Sequence, residues 1–181
     1  FKIVEDIASH YKDKVEPHGF KAMIVTPDRY ACVQYKEELD NYIPEEASVI
    51  VMSTTANDDF EFKQKWGVDK CKQEKIIDTF NDADSDLKFI IVTAKLLTGF
   101  DAKRLKKLYI GRVIKKHNLL QTLTRVNRTY KDYRYGFVVD FADIKAEFDK
   151  TNKDYFEELQ DVLGDEMEHY SNIFKSKEEI Q

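Results

Sequence analysis

Five short apolar runs divide the chain into segments with two different periodicities. The runs are three to six residues long and stand between Gly, Pro or polar residues; they are Lys21–Thr26, Ser48–Met52, Leu87–Val92, Leu108–Ile110 and Tyr135–Asp140. Continuous apolar runs of this length are typical of buried strands. Because they alternate with helical patterns, they predict an α/β fold with a parallel sheet of about five strands and helices on both faces.

The segments between the runs carry apolar residues at helical spacing. Helices are predicted over residues 3–16, from Asp28 to about Tyr42, and from about Asp69 to Asn81. Asp28 is placed to cap the second of these helices. In the third, the residues expected to face inward are Cys71, Ile76, Ile77 and Phe80.

Two further segments lack a strand pattern. Residues 53–70 are polar and partly acidic, and we expect a long loop that three aromatic residues, Phe60, Phe62 and Trp66, hold against the domain. From about Asp143 the strand pattern stops and an acidic helical pattern begins. The sequence therefore predicts one α/β domain over residues 1–142 and a helical connector over 143–181 that leaves the domain.

The segment 118–128 predicts a helix with two chemically different sides. Gln121, Arg125 and Arg128 fall within about 60° of one another on a helical projection. The apolar residues on the other side are Leu119, Leu120, Leu123 and Val126. A row of guanidinium groups suits the oxygens of phosphate or carboxylate. The alternative is a solvated helix face, but the alignment of both arginines with Gln121 favours a functional row.

Composition and charge narrow the class of protein. The chain has 181 residues, of which 42% are hydrophobic and 35% charged, and it contains no apolar run long enough for a transmembrane helix. It opens at Phe1 without an initiator methionine, so we expect a fragment of a longer protein. The net charge of −5 hides a basic block: residues 103–134 hold 11 bases and one acid, between acidic segments. This block indicates a local anionic partner.

Cysteine and histidine usage indicates neither disulfides nor metal. The two cysteines, Cys32 and Cys71, are far apart in sequence, and we expect free, buried thiols in a reducing cytoplasm. The four histidines have no ligand spacing, so no structural metal is expected.

Ligands of open parallel sheets bind beyond the C-terminal ends of the strands. Three polar segments follow predicted strands and are expected to share that edge: Thr26–Arg29, Thr93–Asp101 and Gly111–His117. Gly99 after Thr98 would let the backbone approach a phosphate, and Asp101 could accept from a ribose hydroxyl or hold an arginine. Equally, Gly99 could simply turn the chain and Asp101 could act as a cap. A further basic run comprises Lys103, Arg104, Lys106 and Lys107. Two interpretations of it stand equal: it forms a solvated face that aids solubility, or it contacts phosphate.

The sequence lacks the parts of a complete nucleotide-hydrolysing site. It contains no Gly-x-x-x-x-Gly-Lys-Ser/Thr loop to hold phosphates, and no Asp-Glu pair after a strand to hold Mg²⁺. The predicted arginine row therefore needs a phosphate that another domain holds.

Three motifs together resemble the second RecA-like motor domain of superfamily 2 helicases and translocases. Gln121-x-x-x-Arg125-x-x-Arg128 is similar to the sixth motif of that superfamily, Thr98–Asp101 to the fifth and Met23–Thr26 to the fourth. The resemblance is closer still to the R (restriction, motor) subunit of type I restriction enzymes. It covers about residues 20–142 and rests on Leu96–Ala102, His117–Gln121, Arg125–Arg128 and Tyr135–Asp140. Two residues depart from the pattern. Thr124 stands where many superfamily members have Gly, and Lys103 stands where the family often has Pro.

The resemblance implies a function shared with parts of a longer chain. An upstream RecA-like domain would supply the phosphate loop and hold ATP and Mg²⁺, and a nuclease domain would also lie upstream. Arg125 and Arg128 would be catalytic arginine fingers on the γ-phosphate of ATP. The implied nucleotide-binding residues are Gly99, Asp101, Gln121, Arg125 and Arg128. The implied DNA-binding residues are Thr26, Arg29, Lys95, Thr98, Arg112, Lys115 and Lys116.

The resemblance also implies partners and a setting. Closure on ATP would move the domain along duplex DNA in restriction-modification, within a complex that includes methyltransferase and specificity subunits. The setting would be a bacterial or archaeal cytoplasm, and the isolated fragment is expected to be inactive.

Three alternatives remain open on the sequence. The motor could belong to another superfamily 2 helicase, or the domain could be a non-catalytic interaction module. Pro27-Asp28 with Glu61-Phe-Lys63 also imitates a nuclease metal site, which would need Glu61 and Lys63 on a strand.

Overall fold

The computed structural model describes residues 2–97, 101–127, 130–131, 133, 135–144, 146–151 and 153–154. Five parallel strands form one sheet in the order β2-β3-β1-β4-β5. Their bounds are β1 Lys21–Val25, β2 Ser48–Val51, β3 Phe89–Val92, β4 Leu105–Ile110 and β5 Phe137–Asp140. The predicted fold class, a parallel sheet of five strands with helices on both faces, is confirmed.

Five named helices accompany the sheet: α1 Lys2–Lys14, α2 Arg29–Leu39, α3 Phe60–Trp66, α4 Lys70–Asn81 and α5 Lys116–Val126. Two one-turn 3₁₀ helices, Glu16–His18 and Glu45–Ala47, precede β1 and β2. Within the described ranges, every helix is too short or too polar to cross a bilayer.

Successive side chains of each strand enter two separate cores. In β1, Ala22 and Ile24 pack with α1 and α2, whereas Met23 and Val25 pack with α4 and α5. This alternation follows from the two-residue period of a strand. Because both faces are covered, the central strands are apolar throughout, which explains why the sequence shows runs and not alternation.

Aspartate caps begin three of the helices. Asp28 accepts a hydrogen bond from the Ala31 amide at 2.8 Å, as the sequence predicts for α2. Asp59 and Asp69 cap α3 and α4 in the same way. Each side chain satisfies an amide that the first turn of a helix leaves unpaired.

The structure corrects the prediction that residues 53–70 form a loop. Helix α3, Phe60–Trp66, lies inside this segment, and its Phe62 and Trp66 pack on the core that α1 and α2 share. The Asn57-Asp58-Asp59 turn indicated a loop, but its last residue is the cap of a short helix. The prediction that three aromatic residues hold this segment against the domain is correct for Phe62 and Trp66. It is wrong for Phe60, which is 76% exposed.

Two smaller predictions are also wrong. Strand β4 begins at Leu105, not at Leu108, because Lys106 and Lys107 interrupt the apolar run without ending the strand. Cys71 is exposed on α4, whereas Cys32 is buried as expected, and both thiols are free.

The start of the predicted C-terminal connector stays on the domain. Ile144 is buried and Phe148 packs against the same core as α4 and α5. Residues 146–151 are helical, in line with the predicted helix. The predicted connector beyond residue 154 lies outside the described residues.

Candidate functional site

All five strands finish at the C-terminal edge of the sheet. Backbone hydrogen bonds join the ends of neighbouring strands there. The Thr26 amide donates to the Val92 carbonyl at 2.8 Å, and the Gly111 amide donates to the Val25 carbonyl at 2.8 Å. A Cβ at Gly111 would lie 3.2 Å from the Val25 carbonyl oxygen, so the residue after β4 sits close to β1. The edge therefore brings the segments after β3, β1 and β4 together.

An open cleft of about 500 Å³ lies at this edge, between the segments after β3 and β4. Its described lining, which defines the edge cleft, is Ala94, Leu97, Arg112, Val113, Ile114, Lys115 and Asn118. The Arg112 guanidinium donates to the Thr93 carbonyl oxygen at 3.4 Å, across the end of β1. Two predicted DNA-binding residues, Arg112 and Lys115, thus line one concave surface.

Thr26 does not reach that surface. It is fully buried, and its hydroxyl donates to the Val92 carbonyl at 3.2 Å and to the Asp28 carbonyl at 3.0 Å. Cys32 Sγ lies 2.9 Å from the hydroxyl oxygen of Thr26. These contacts fix the turn between β1 and α2, so a direct DNA contact by this side chain does not fit the structure.

Arg29 is engaged within the domain. Its guanidinium forms an ion pair with Asp58, and its Cζ lies 5.8 Å from the centre of the Phe62 ring. Asp58 also accepts the Thr55 amide at 2.6 Å. These hydrogen bonds, the one from Arg29 first, lower the pKa of Asp58 to about 2. The predicted DNA-binding arginine therefore joins α2 to the segment before α3.

Lys95 also has an internal contact, because its ammonium donates to the Val68 carbonyl just before α4 at 3.1 Å. Thr98 and Gly99 lie outside the described residues. Lys116 lies in the first turn of α5, and its side chain is likewise outside the described part.

Helix α5 carries Gln121 and Arg125 one turn apart, and both are partly buried. The opposite side of the helix packs on the sheet through Leu119 and Val126, as predicted, and through Thr122, which is fully buried. The Thr122 hydroxyl donates to the Asn118 carbonyl at 2.7 Å, which explains how a polar side chain fits that face. Arg128 lies outside the described residues.

Gly136 sets the position of the C-terminal end of α5. A Cβ at Gly136 would lie 2.0 Å from the Val126 carbonyl oxygen and 2.6 Å from Val126 Cβ. Only a residue without a side chain can stand there. The last turn of α5 therefore packs directly on the backbone that leads into β5.

Asp101 does not share an edge with Arg112, contrary to the prediction. Its carbonyl accepts from Asn81 Nδ2 at 3.1 Å, at the end of α4, and β4 begins four residues later. The connection from β3 must return to the opposite, N-terminal edge of the sheet because β4 is parallel to β3. Arg125 also lies toward that edge, since α5 runs back to the start of β5.

Four residues important for this arrangement were missed by sequence reasoning. They are Asp58, Asn81, Thr122 and Gly136. For Gly136 a signal existed, because an isolated glycine at the start of a strand often marks a close backbone approach. For the other three, the partners are distant in sequence or backbone atoms, which no local pattern reveals.

The imitated nuclease site is not assembled. Asp28 caps α2, whereas Glu61 and Lys63 lie on helix α3 and not on a strand. Lys63 donates to the Ala56 carbonyl at 2.8 Å. Within the described ranges, no group of three or more His, Cys, Asp or Glu side chains could hold a metal ion.

Comparison with known families decides the class. A family model described as type I restriction enzyme subunit R domain 3 matches residues 52–143, about half of the chain. This chain belongs to the R subunits of type I restriction enzymes. The family expected from the motifs is therefore confirmed, and membership in it sets aside another superfamily 2 helicase.

Relatives in this R-subunit family are much longer than the chain. It is 36% identical over 157 residues to a Methanocaldococcus jannaschii protein assigned as the type I restriction enzyme MjaVIIIP endonuclease subunit. It is 30% identical over 193 residues to the type I restriction enzyme HindI endonuclease subunit of Haemophilus influenzae. The alignments cover 78% and 99% of this chain but 15% and 18% of the relatives. The chain thus spans about a sixth of their length.

Solved structures show the same fold at low identity. The Mycobacterium smegmatis helicase Lhr, bound to ssDNA and AMP-PNP, matches with TM-score 0.58, 13% identity, and coverage of 82% of this chain and 19% of Lhr. A fragment assigned to the HsdR subunit of a Vibrio vulnificus type I restriction enzyme matches with TM-score 0.57 and 15% identity. The match covers 82% of this chain and 28% of that fragment. Domain 2 of the DEAD-box helicase Mss116p, bound to an RNA duplex, matches with TM-score 0.55 and 14% identity. The match covers 78% of this chain and 50% of the Mss116p chain. The R-subunit chain therefore has the RecA-like helicase-domain fold.

Proposed function

We propose that this chain is the second RecA-like domain of the ATP-dependent DNA translocase in a type I restriction enzyme. The observation that carries the proposal is the Gln121–Arg125 pair on α5. Both side chains are partly buried and one turn apart. The helix behind them is held by buried Leu119, Thr122 and Val126, so the backbone that carries Arg125 has a fixed position.

A fixed guanidinium suits phosphoryl transfer. Charge develops on the transferred phosphoryl oxygens in the transition state, and a preorganised cation meets it without reorganisation. Arginine fingers of this kind contribute on the order of 10³–10⁵ in rate. In the proposal, Arg125 and Arg128 act on the γ-phosphate of ATP that the upstream domain holds. Gln121 would bind the nucleotide beside them, and Gly99 and Asp101 would be the other nucleotide-binding residues.

ATP and Mg²⁺ would be held mainly by the upstream domain. Described carboxylates do not converge on a metal position, and the sequence has no phosphate loop, so this chain contributes guanidinium and amide groups. The bound Mg²⁺ supplies charge neutralisation at the phosphates. We accordingly propose that the isolated chain does not hydrolyse ATP.

The edge cleft is the proposed contact with the DNA backbone. Arg112 and Lys115 line it and offer cations to phosphates. Lys95 and Lys116 stay in the proposal because each is next in sequence to a residue that lines the cleft, Ala94 and Lys115. Thr98 stays because it follows the cleft residue Leu97 in the sequence. Thr26 is left out because it is buried, and Arg29 would first have to leave Asp58.

The wider setting follows from the relatives. Their names are those of type I restriction enzyme endonuclease subunits. We propose that the chain works with upstream motor and nuclease domains of the same polypeptide and with methyltransferase and specificity subunits on duplex DNA in the cytoplasm. Residues 1–142 would form the motor domain and 143–181 the connector.

The test is Arg125→Ala in the full-length R subunit assembled with its partners. DNA-stimulated ATP hydrolysis should fall by at least about 10³-fold, with ATP binding retained. Arg125→Lys should recover little, because a lysine cannot replace a planar, bidentate donor. Lys75→Ala, at an exposed position on α4, is the matched control. Unchanged hydrolysis in Arg125→Ala would overturn the motor role and favour an interaction module.

A further inference from the structure

A second cavity, of about 190 Å³, lies at the N-terminal edge of the sheet, where β1, β4 and β5 begin. Its described lining residues, which define the basic cavity, are Lys14, Val15, His18, Phe20, Lys106, Lys107, Tyr133 and Phe137. They come from the end of α1, the turn before β1, and the starts of β4 and β5. The cavity is therefore at the opposite end of the strands from the edge cleft.

The described lining of the basic cavity contains basic side chains and no acidic one. These are the three lysines Lys14, Lys106 and Lys107, with the His18 imidazole beside them. Lys106 is 1% exposed and Lys107 is 9% exposed, so both are more than nine-tenths buried. Buried lysines are rare unless an opposite charge accompanies them.

The two buried ammonium groups have weak partners within the described residues. Lys106 Nζ donates to the Tyr133 carbonyl at 3.5 Å, the long limit of a hydrogen bond. Lys107 Nζ lies 5.1 Å from the centre of the Phe137 ring. In this part of the chain neither lysine forms an ion pair. Burial lowers the pKa of both lysines, as expected when water is removed without a counter-charge.

Neighbouring charges add to the positive potential. Burial lowers the pKa of His10 on α1, and the charges of Lys107 and Lys14 lower it further, whereas Asp13 raises it. The His18 ring is hydrogen-bonded to the Tyr133 hydroxyl at 2.9 Å. An anion in the cavity would restore to the buried lysines the interactions that burial removed.

We propose that the basic cavity binds a phosphate group. Three ammonium groups and an imidazole that line one small, partly desolvated space match a compact oxyanion with several acceptor atoms. The phosphate could come from the backbone of a DNA strand or from a free nucleotide or inorganic phosphate. An aromatic rim fits the DNA strand, since bases stack on aromatic faces beside lysines that hold the backbone. This rim comprises Tyr133 and Phe137, which line the cavity and are 36% and 57% exposed.

This site is independent of the proposed motor function. It shares no described residue with the edge cleft or with Gln121 and Arg125. It also explains part of the basic block in the sequence, because Lys106 and Lys107 are neither a solubilising face nor part of the cleft.

The experiment measures lysine acetylation in the full-length R subunit, with mass spectrometry reading each lysine. Lys107 is 9% exposed, so the reagent retains some access to it and its labelling rate reports whether the cavity is occupied. The probes are inorganic phosphate and a short single-stranded DNA oligonucleotide, each compared with chloride at equal ionic strength. At a probe concentration ten times the Kd, labelling of Lys107 should fall about tenfold. Exposed Lys75 should not change.

Two variants separate the basic cavity from other sites. Arg112→Ala, which weakens the edge cleft, should leave the protection of Lys107 unchanged. Lys107→Met keeps length without charge, so without probe its Tm should equal or exceed that of the wild type, and phosphate should no longer raise it. If this variant does not fold, the protection of wild-type Lys107 and Lys106 still decides the question.

The outcomes assign the phosphate source or overturn the proposal. Protection by both probes assigns a DNA backbone phosphate, and protection by inorganic phosphate alone assigns a free phosphate or nucleotide. Labelling rates equal to those in chloride for both probes would overturn the proposal. Loss of oligonucleotide protection in Arg112→Ala, with no protection by phosphate, would overturn it as well.

Discussion

The Arg112 side chain joins two segments that are about 20 residues apart in sequence, because its guanidinium donates to the Thr93 carbonyl oxygen at 3.4 Å. The bond spans the end of β1, since β1 lies between β3 and β4 in the sheet. One arginine thus shapes the floor of the edge cleft and still has donors for an external anion, because a guanidinium carries five.

Replacing Arg112 by Ala should weaken the binding of duplex DNA by the R subunit at every sequence equally. The loss of one phosphate contact should reduce the slope of log K against log salt by about one. Fluorescence anisotropy with labelled duplexes over a range of salt concentrations measures this slope.

Lys75→Ala serves as the control for charge, because it removes one exposed cation from α4, away from the cleft. A salt slope that stays at the wild-type value in Arg112→Ala would show that the edge cleft does not hold a DNA phosphate.

The Arg29–Asp58 pair should make the stability of the domain depend on pH. The pKa of Asp58 is lowered from 3.8 to about 2 in the folded protein. Between these values the unfolded chain binds more protons than the folded one, so the stabilisation is complete above about pH 4 and is lost as pH falls through about 2. Urea unfolding at a series of pH values should therefore show Asp58→Asn less stable than wild type at pH 6, with the difference vanishing toward pH 2.

Arg29→Gln tests the cause, since the folded pKa of Asp58 depends first on the hydrogen bond from Arg29. In this variant the Asp58→Asn change should have a smaller effect at pH 6 than in wild type. A stability difference that persists unchanged at pH 2 would contradict the assignment of the effect to this carboxylate.

Gly136→Ala should displace α5. The added Cβ would meet the Val126 carbonyl oxygen at 2.0 Å, and a backbone atom in a packed helix end cannot move aside without cost. Overpacking of this kind costs typically about 1–3 kcal/mol, so Tm should fall, and DNA-stimulated ATP hydrolysis should fall with it because Arg125 moves. Calorimetry and an ATPase assay measure the two effects.

Val126→Ala in the same background is an informative second variant. It removes the side chain but leaves the carbonyl oxygen, so it should not rescue Gly136→Ala. Thr124→Ala, at an exposed position on α5, controls for a general effect on the helix. Wild-type Tm in Gly136→Ala would mean that the close approach is not required.

Much of the fold follows from local patterns in the sequence. The central strands β1, β3 and β4 are buried on both faces, so their apolar runs are easy to recognise. The Asp28 cap has a direct local cause. The amphipathic pattern of α5 also predicts which side carries Gln121 and Arg125. These features depend on neighbours within a few residues, which the sequence shows directly.

Features that depend on distant partners could not be predicted in the same way. Lys106 and Lys107 are polar in the sequence, yet β4 includes them. Lys107 pairs with Ala22 of β1 and with Phe137 of β5, and the register with β1 shifts at Lys106, between the pairs Lys21–Leu105 and Ala22–Lys107. The position of Asp101 depends on where the chain has returned to the other edge of the parallel sheet. Because β4 begins at Leu105 and not at the predicted Leu108, Asp101 lies only four residues before the strand and therefore at its N-terminal edge.

Helix α4 is fastened at both ends to the connection between β3 and β4. Lys95 holds the carbonyl of Val68 just before the helix, and Asn81 at its last turn holds the carbonyl of Asp101. The 12 residues of α4 form a rigid element about 18 Å long between these two contacts. Through this one helix, Lys95 after the end of β3 is connected to Asp101 before the start of β4, so the two edges of the sheet share a structural link outside the strands.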